Sequence, residues 1–303
     1  NPFINAQGYA TTGMFSVAIG AVANLILDPV FIFVFGLGIR GAAIATVLSQ
    51  ILSASFVLYF LRKRTELKIR VLSPEEIRAC GKRAKNIISL GTAGFIMQLT
   101  NSLVTICCNN VLSVTSGDLY ISVMTIVSSI RQIIDTPIHA VTEGSSPVIS
   151  YNYGARRPKR VFQAGVTMGI IAILYTLLAW SVILFVPRFL IGIFSSDPTL
   201  IADAVPALKL YFGAFVFQAL QYVGQTMFKS LGKKKFAIFF SLLRKVIIVV
   251  PLTYIFPYVF HMGSDGVFLA EPVSNVIGGS ICFIVMLCTV IPELKRMEKE
   301  NLR

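Results

Sequence analysis

The chain has 303 residues, of which 55% are hydrophobic and 14% charged, with a mean hydropathy of +0.76, a composition that excludes an ordinary soluble domain. Its net charge of +13 would suit a nucleic-acid partner, but the charges are grouped in alternate loops. Nine Lys and Arg lie between Arg62 and Lys85, four between Asn152 and Arg160, four between Lys229 and Lys235, and four after Pro292. The loops between hold Arg40 and Arg188 beside Asp118, Asp197, Asp203 and Asp265. This is positive-inside asymmetry, and it predicts a multi-pass protein of the plasma membrane with basic loops and carboxyl terminus in the cytoplasm and no nucleic-acid role.

Eight apolar runs are each long enough to cross roughly 30 Å of hydrocarbon as a helix. They fall near 10–36, 41–61, 87–112, 119–149, 161–186, 205–229, 236–260 and 265–291. They lack the period-two alternation of barrel strands, so the expected fold is an all-α integral membrane protein. The first run carries a carboxylate, Asp28, with Asn24 one turn before it and Pro29 directly after. The amide and carboxylate share a helix face, and Pro29 removes a backbone donor and frees a carbonyl nearby. After the turn GIRG, Gly41 opens a second apolar helix that returns Thr46 to a similar depth. An intramembrane acid with such neighbours is a candidate cation or proton site; the plainer reading is a carboxylate that orders the Pro29 kink.

The third run carries Gln98, Asn101, Thr105 and Asn109 as a polar stripe. The fourth carries Arg131, Asp135, His139 and Glu143 at intervals of four, a seam interrupted by Pro137. Arg131 and Asp135 can neutralise each other at i, i+4, whereas His139 and Glu143 are candidates for proton handling. The sixth run sets Gln218, Gln221 and Gln225 on a comparable stripe. Such stripes line either a water-filled cavity or a helix contact. Phe212, Phe215, Phe217, Tyr222, Met227 and Met97 are candidate contacts for flat lipophilic cations. Arg244 and Lys245 in the seventh run face Glu271 in the eighth either as a structural ion pair or as a second ion site.

Five cysteines show no CxxC or Cys/His spacing, and the chain has no GxSxG, no Walker loop and only two histidines. No enzyme, metal centre or cofactor is expected.

An internal repeat organises these runs. Gly41 to Gln50, GAAIATVLSQ, aligns with Gly266 to Asn275, GVFLAEPVSN, at an offset of about 225 residues. Four runs precede the second copy and none precedes the first, so about four spans, roughly 140 residues, are expected ahead of Asn1. The expected division is residues 1–61 as the last two helices of an amino-terminal bundle, 62–86 as a basic cytoplasmic linker, 87–291 as a six-helix carboxyl-terminal bundle and 292–303 as a cytoplasmic tail.

The stretches ANLILDPVFIFVFGLGIRGAAIATVLSQ, EGSSPVISYNYGARRPKRV and QALQYVGQTMFKSLGKKK, in that order and at these separations, resemble helices five and six, the end of helix eight and helix ten of the multidrug and toxic compound extrusion (MATE) transporters. The resemblance covers essentially the whole chain and implies twelve helices in two bundles, of which these are helices five to twelve. It implies a monomeric antiporter that exports organic cations or toxic amphiphiles in exchange for Na+ or H+. It places the ion at Asn24, Asp28 and Thr46, whose usual Asp partner on helix one lies outside this sequence. Glu143 and Glu271 stand behind Asp28 as coupling groups, and family members differ at the Glu143 position. The alternative from the same superfamily is a lipid-linked oligosaccharide flippase, which Arg131, Arg244 and Lys245 would suit.

Overall fold

A computed structural model describes residues 2–64 and 73–301, all of it helical or in short connections, with no strand among the described residues. The chain divides into two compact units, residues 1–81 and 82–303. The expected linker lies partly at 65–72, outside the described residues, and its second half already belongs to a helix that begins at Pro74.

The first unit is built on a hairpin. After a short α1 (Pro2–Ala6), α2 (Ala10–Pro29) continues as a π-helical segment, Val30–Val34, and turns into α3 (Gly38–Lys63). The π segment begins directly after Pro29, where the missing N–H has already broken the regular ladder. The Phe35 and Leu37 amides donate to the Val30 and Phe31 carbonyls, and Gly36 and Gly38 take φ of +65° and +52°. Gly41 then passes so close to α2 that a Cβ there would sit 2.6 Å from the Phe31 carbonyl oxygen. Further down, Ser53 Oγ donates to the Ser16 carbonyl at 2.7 Å, tying α3 to α2.

The second unit contains α4 (Pro74–Thr115, begun in the first), α5 (Asp118–Gly154), α6 (Pro158–Phe185), α7 (Pro187–Gly192), α8 (Pro198–Tyr211), α9 (Phe215–Ser230), α10 (Lys234–Leu242), α11 (Val250–Tyr258), α12 (Gly263–Ser274) and α13 (Ser280–Asn301). π-helical segments join α10 to α11 (Leu243–Val249) and α12 to α13 (Asn275–Gly279). One apolar core gathers Leu112, Val127, Ile183, Leu208, Phe212 and Phe268; a second gathers Ile138, Met168, Val223, Phe228 and Val290. Glycines let backbones approach where lipid supplies no hydrophobic drive. A Cβ on Gly279 would meet the Phe217 carbonyl oxygen at 2.4 Å, and one on Gly224 would meet Cys282 Sγ at 2.9 Å.

The α11–α12 connection repeats the α2–α3 turn bond for bond, at the offset of about 225 residues read from the sequence. The Phe260 and Met262 amides donate to the Ile255 and Phe256 carbonyls, and His261 and Gly263 take φ of +54° and +56°. Gly266 stands to Phe256 as Gly41 stands to Phe31, with a Cβ placed 2.8 Å from that of Phe256.

Among the described residues six helices are long and apolar enough to cross a membrane, and a seventh is obtained if α8 and α9, bent by 50° at their junction, form one span. The fourth expected span, α5, is 37 residues long but is not among them, because Arg131, Asp135, His139 and Glu143 interrupt its apolar length.

Candidate functional site

The first cluster lies within the α2–α3 hairpin. Asn24 Nδ2 donates to Asp28 Oδ1 at 3.2 Å and reaches Thr46 Oγ1 at 3.5 Å, so three oxygen-bearing side chains from two helices converge. The Thr46 hydroxyl donates to the Ala42 carbonyl at 2.9 Å, which leaves its lone pairs turned towards the amide. Asn24 and Asp28 are half-buried and Thr46 is exposed. Carboxylate, amide and hydroxyl oxygens are the ligand types of a hard cation, and a carboxylate alone suffices for a proton. The groove that Asn24 and Thr46 border continues along Ser49, Gln50 and Ser53.

The second cluster surrounds a cavity of about 250 Å³ inside the second unit. Three cations share one carboxylate there. Glu271 Oε1 lies 2.8 Å from Arg131 Nη2, 2.9 Å from Arg244 Nη1 and 2.9 Å from Lys245 Nζ. Arg131 turns its Nε to Asp135 Oδ2 at 3.1 Å and donates through Nη1 to the Tyr211 hydroxyl. Asp135 also accepts from Tyr222 at 3.1 Å and from Gln218 Nε2 at 3.4 Å. Arg244 Nη1 donates to Asn275 Oδ1 at 2.6 Å, and Asn275 passes its amide on to Gln218 Oε1 at 3.4 Å. Both alternatives for Arg131 and Asp135, and for Arg244, Lys245 and Glu271, are thus parts of one network that joins α5, α9, α12 and the segments following α10 and α12.

Local sequence explains how the cations come to face inward. Arg244 and Lys245 are adjacent, and a regular helix would turn them about 100° apart. The π-helical segment Leu243–Val249 widens that turn, and both side chains end on Glu271. Gly278 makes room for the stem of Arg244, since a Cβ there would lie 2.9 Å from its Cγ.

The predicted residues separate into several groups. Asn101, Thr105, His139, Gln221 and Gln225 border the cavity, and the His139 ring packs against that of Tyr222, tilted by 57° with centroids 4.6 Å apart. Gln218 works in the network rather than on the cavity wall, and Gln98 and Asn109 are not among the lining residues. Glu143 is 61% exposed and pairs with Lys229 Nζ at 2.8 Å, away from the cavity. Among the expected aromatic and sulfur contacts only Tyr222 borders it. Phe212, Phe215 and Met227 are packed in the two apolar cores, because their positions on α8 and α9 face neighbouring helices; the Met97 side chain lies outside the described residues. Tyr211 and Asn275 had no charge or spacing to single them out, and the fold alone brings them in.

Comparison with known proteins agrees with this architecture. The MatE family model matches residues 75–255. The multidrug export protein MepA of Staphylococcus aureus (strain NCTC 8325 / PS 47) is 24% identical over 294 residues, covering 95% of this chain and 61% of its own length. MepA of Staphylococcus saprophyticus is 26% identical over 291 residues, with the same coverage. The chain therefore spans about 61% of the length of these curated relatives. Among solved structures, the outward-facing conformation of a multidrug resistance MATE family transporter of the MOP superfamily superposes with a TM-score of 0.87 at 24% identity, over 97% of this chain and 65% of that one. A MATE in the bent conformation gives 0.84 at 23% identity, over 98% and 64%. These structural likenesses concern the fold, while the match of the family model over more than half of the sequence settles membership: the chain belongs to the MatE family of transporters.

Proposed function

We propose that the chain serves secondary multidrug efflux, exporting lipophilic organic cations and other toxic amphiphiles in exchange for Na+ or H+. The observation that carries this reading is the convergence of Asn24, Asp28 and Thr46 on facing sides of two apolar helices. A carboxylate at membrane depth is expensive unless it binds something, and a cation or proton from outside is the partner that repays it. The relatives named for multidrug export support the transport role and do not favour a lipid-linked oligosaccharide flippase.

In this mechanism two six-helix bundles enclose a cleft that opens to each side in turn. Ion binding at Asp28 disfavours substrate in the outward state, and by reciprocity the ion gradient drives export. No covalent chemistry and no organic cofactor is involved, and the protein acts as a monomer in the plasma membrane. The eight expected spans are kept, with α5 crossing the bilayer and Arg131 and Asp135 turned to the interior of the second unit. Residues 1–61 supply the end of the first bundle, 87–291 form the second, and the basic loops stay in the cytoplasm. The repeated turn at Gly36–Gly41 and His261–Gly266 supports two bundles of common ancestry.

The test is efflux of a cationic dye from proteoliposomes holding the full-length protein, with Na+ and pH gradients imposed separately. One gradient should drive efflux, and Asp28→Asn should abolish it at unchanged protein level. Dye movement that ignores both gradients, or survives Asp28→Asn, overturns the mechanism.

A further inference from the structure

We propose that the cavity of the second unit is a receptor for an acidic group, and that it takes the carboxylate end of an amphiphilic substrate through Arg244 and its neighbours. This rests on the efflux reading and deepens it by naming the amphiphiles this one cavity suits: those that carry a carboxylate, alone or beside the cationic group of a zwitterion.

Charge is the first argument. Among the described residues, Arg131, Arg244 and Lys245 face two carboxylates, Asp135 and Glu271, and every one of the five borders the cavity. With all five groups ionised the site carries one cation in excess, which attracts an anionic group.

Hydrogen bonding makes the same demand independently. Donors from all three cations crowd onto Glu271 Oε1, although a carboxylate oxygen has two lone pairs, while Oε2 receives only Lys245 at 3.3 Å. The Arg244 Nε–H is buried with no acceptor among the described residues, in a side chain that is only 6% exposed. An unmet buried donor on a guanidinium is costly, and a rotation of the side chain that brought it to the cavity surface would let a planar carboxylate accept from it. Gln221, on the same wall, also has a buried Oε1 without a donor among the described residues.

Size and lining limit the ligand. About 250 Å³ is less than the roughly 300–1,000 Å³ of a pocket that encloses a whole drug-sized molecule, so the cavity takes one end of a larger amphiphile. Tyr211, Tyr222, Val249 and Val267 give that end apolar walls.

The experiment is equilibrium binding to the purified full-length protein, without any gradient, read by fluorescence anisotropy. Rhodamine 110 carries a free benzoate and rhodamine 123 is its methyl ester, on the same cationic ring system. The acid should bind about tenfold more tightly than the ester. Arg244→Gln should weaken the acid by a similar factor and leave the ester unchanged, and Arg244→Lys should restore part of the difference. Benzoate should displace the acid at concentrations where chloride, at equal ionic strength, does not. The proposal is overturned if the ester binds as well as the acid, if Arg244→Gln weakens both equally, or if chloride competes as well as benzoate. The acid-to-ester comparison needs no substitution, so it holds even if a variant misfolds. Because binding is read without any gradient, failure here and failure of ion-driven efflux are distinguishable.

Discussion

Arg131 Nη2 stands 2.8 Å from Glu271 Oε1, joining α5 to α12 across 140 residues of sequence and making one carboxylate the common partner of three cations. Glu271 holds the second unit together electrostatically, since breaking a buried ion pair from one side leaves uncompensated charge. Glu271→Gln should destabilise the unit by about 3–5 kcal/mol in denaturant unfolding. Adding Arg244→Gln should recover part of the loss, because one excess cation goes with it. Equal or additive losses in the double variant would show that the two residues are not coupled.

Glu143 is expected to behave differently although it sits on the same helix seam. Its pair with Lys229 is solvated, the two side chains being 61% and 31% exposed, and such pairs contribute roughly 0–1 kcal/mol. Glu143→Gln should shift stability by less than about 1 kcal/mol and leave gradient-driven efflux in place. Loss of ion dependence in that variant would return Glu143 to the coupling machinery.

The paired turns make a backbone prediction. Gly41→Ala and Gly266→Ala each push a Cβ into the preceding helix, to 2.6 Å from the Phe31 carbonyl oxygen and 2.8 Å from the Phe256 Cβ. Gly38→Ala meets open space and pays only for a left-handed φ of +52°, roughly 1–2 kcal/mol. Thermal unfolding of purified variants should rank both helix-contact substitutions as more damaging than Gly38→Ala. A reversed order would mean that the hairpins relax freely at these contacts.

Acid stability offers a separate check at the start of α8. Asp197 caps that helix, accepting from the Thr199 hydroxyl at 2.7 Å and the Thr199 amide at 2.9 Å, and these bonds hold its carboxyl below the ordinary 3.8. A lowered folded-state pKa stabilises above the unfolded value and is lost as pH falls through the folded one. Hydrogen exchange at the first turn of α8 should therefore be insensitive to this group between pH 7 and 5 and faster in Asp197→Ala. Equal protection in both proteins would remove the cap from the account.

Much of this protein was legible in the amino-acid sequence, and the reason is local. Lipid demands long apolar runs, so the all-helical class shows in composition, whereas the start of α4 at Pro74 and the bend between α8 and α9 do not; the 225-residue offset that aligned Gly41 with Gly266 also matched the two turns. Asn24, Asp28 and Thr46 could be grouped because two are one turn apart and the third returns on a hairpin of short reach. Arg244, Lys245 and Glu271 could likewise be grouped as charges on successive spans. That Arg131 shares the same carboxylate was not legible, because it depends on the packing of α5 against α12, which no periodicity announces. Glu143 and Asp135 look alike as sequence, both acids on one polar seam, yet one meets Lys229 in solvent and the other is enclosed by Tyr222 and Gln218. Composition decided that charge would be rare inside this protein; only the tertiary structure decided which charges share a partner, because that depends on helices that meet far apart in the chain.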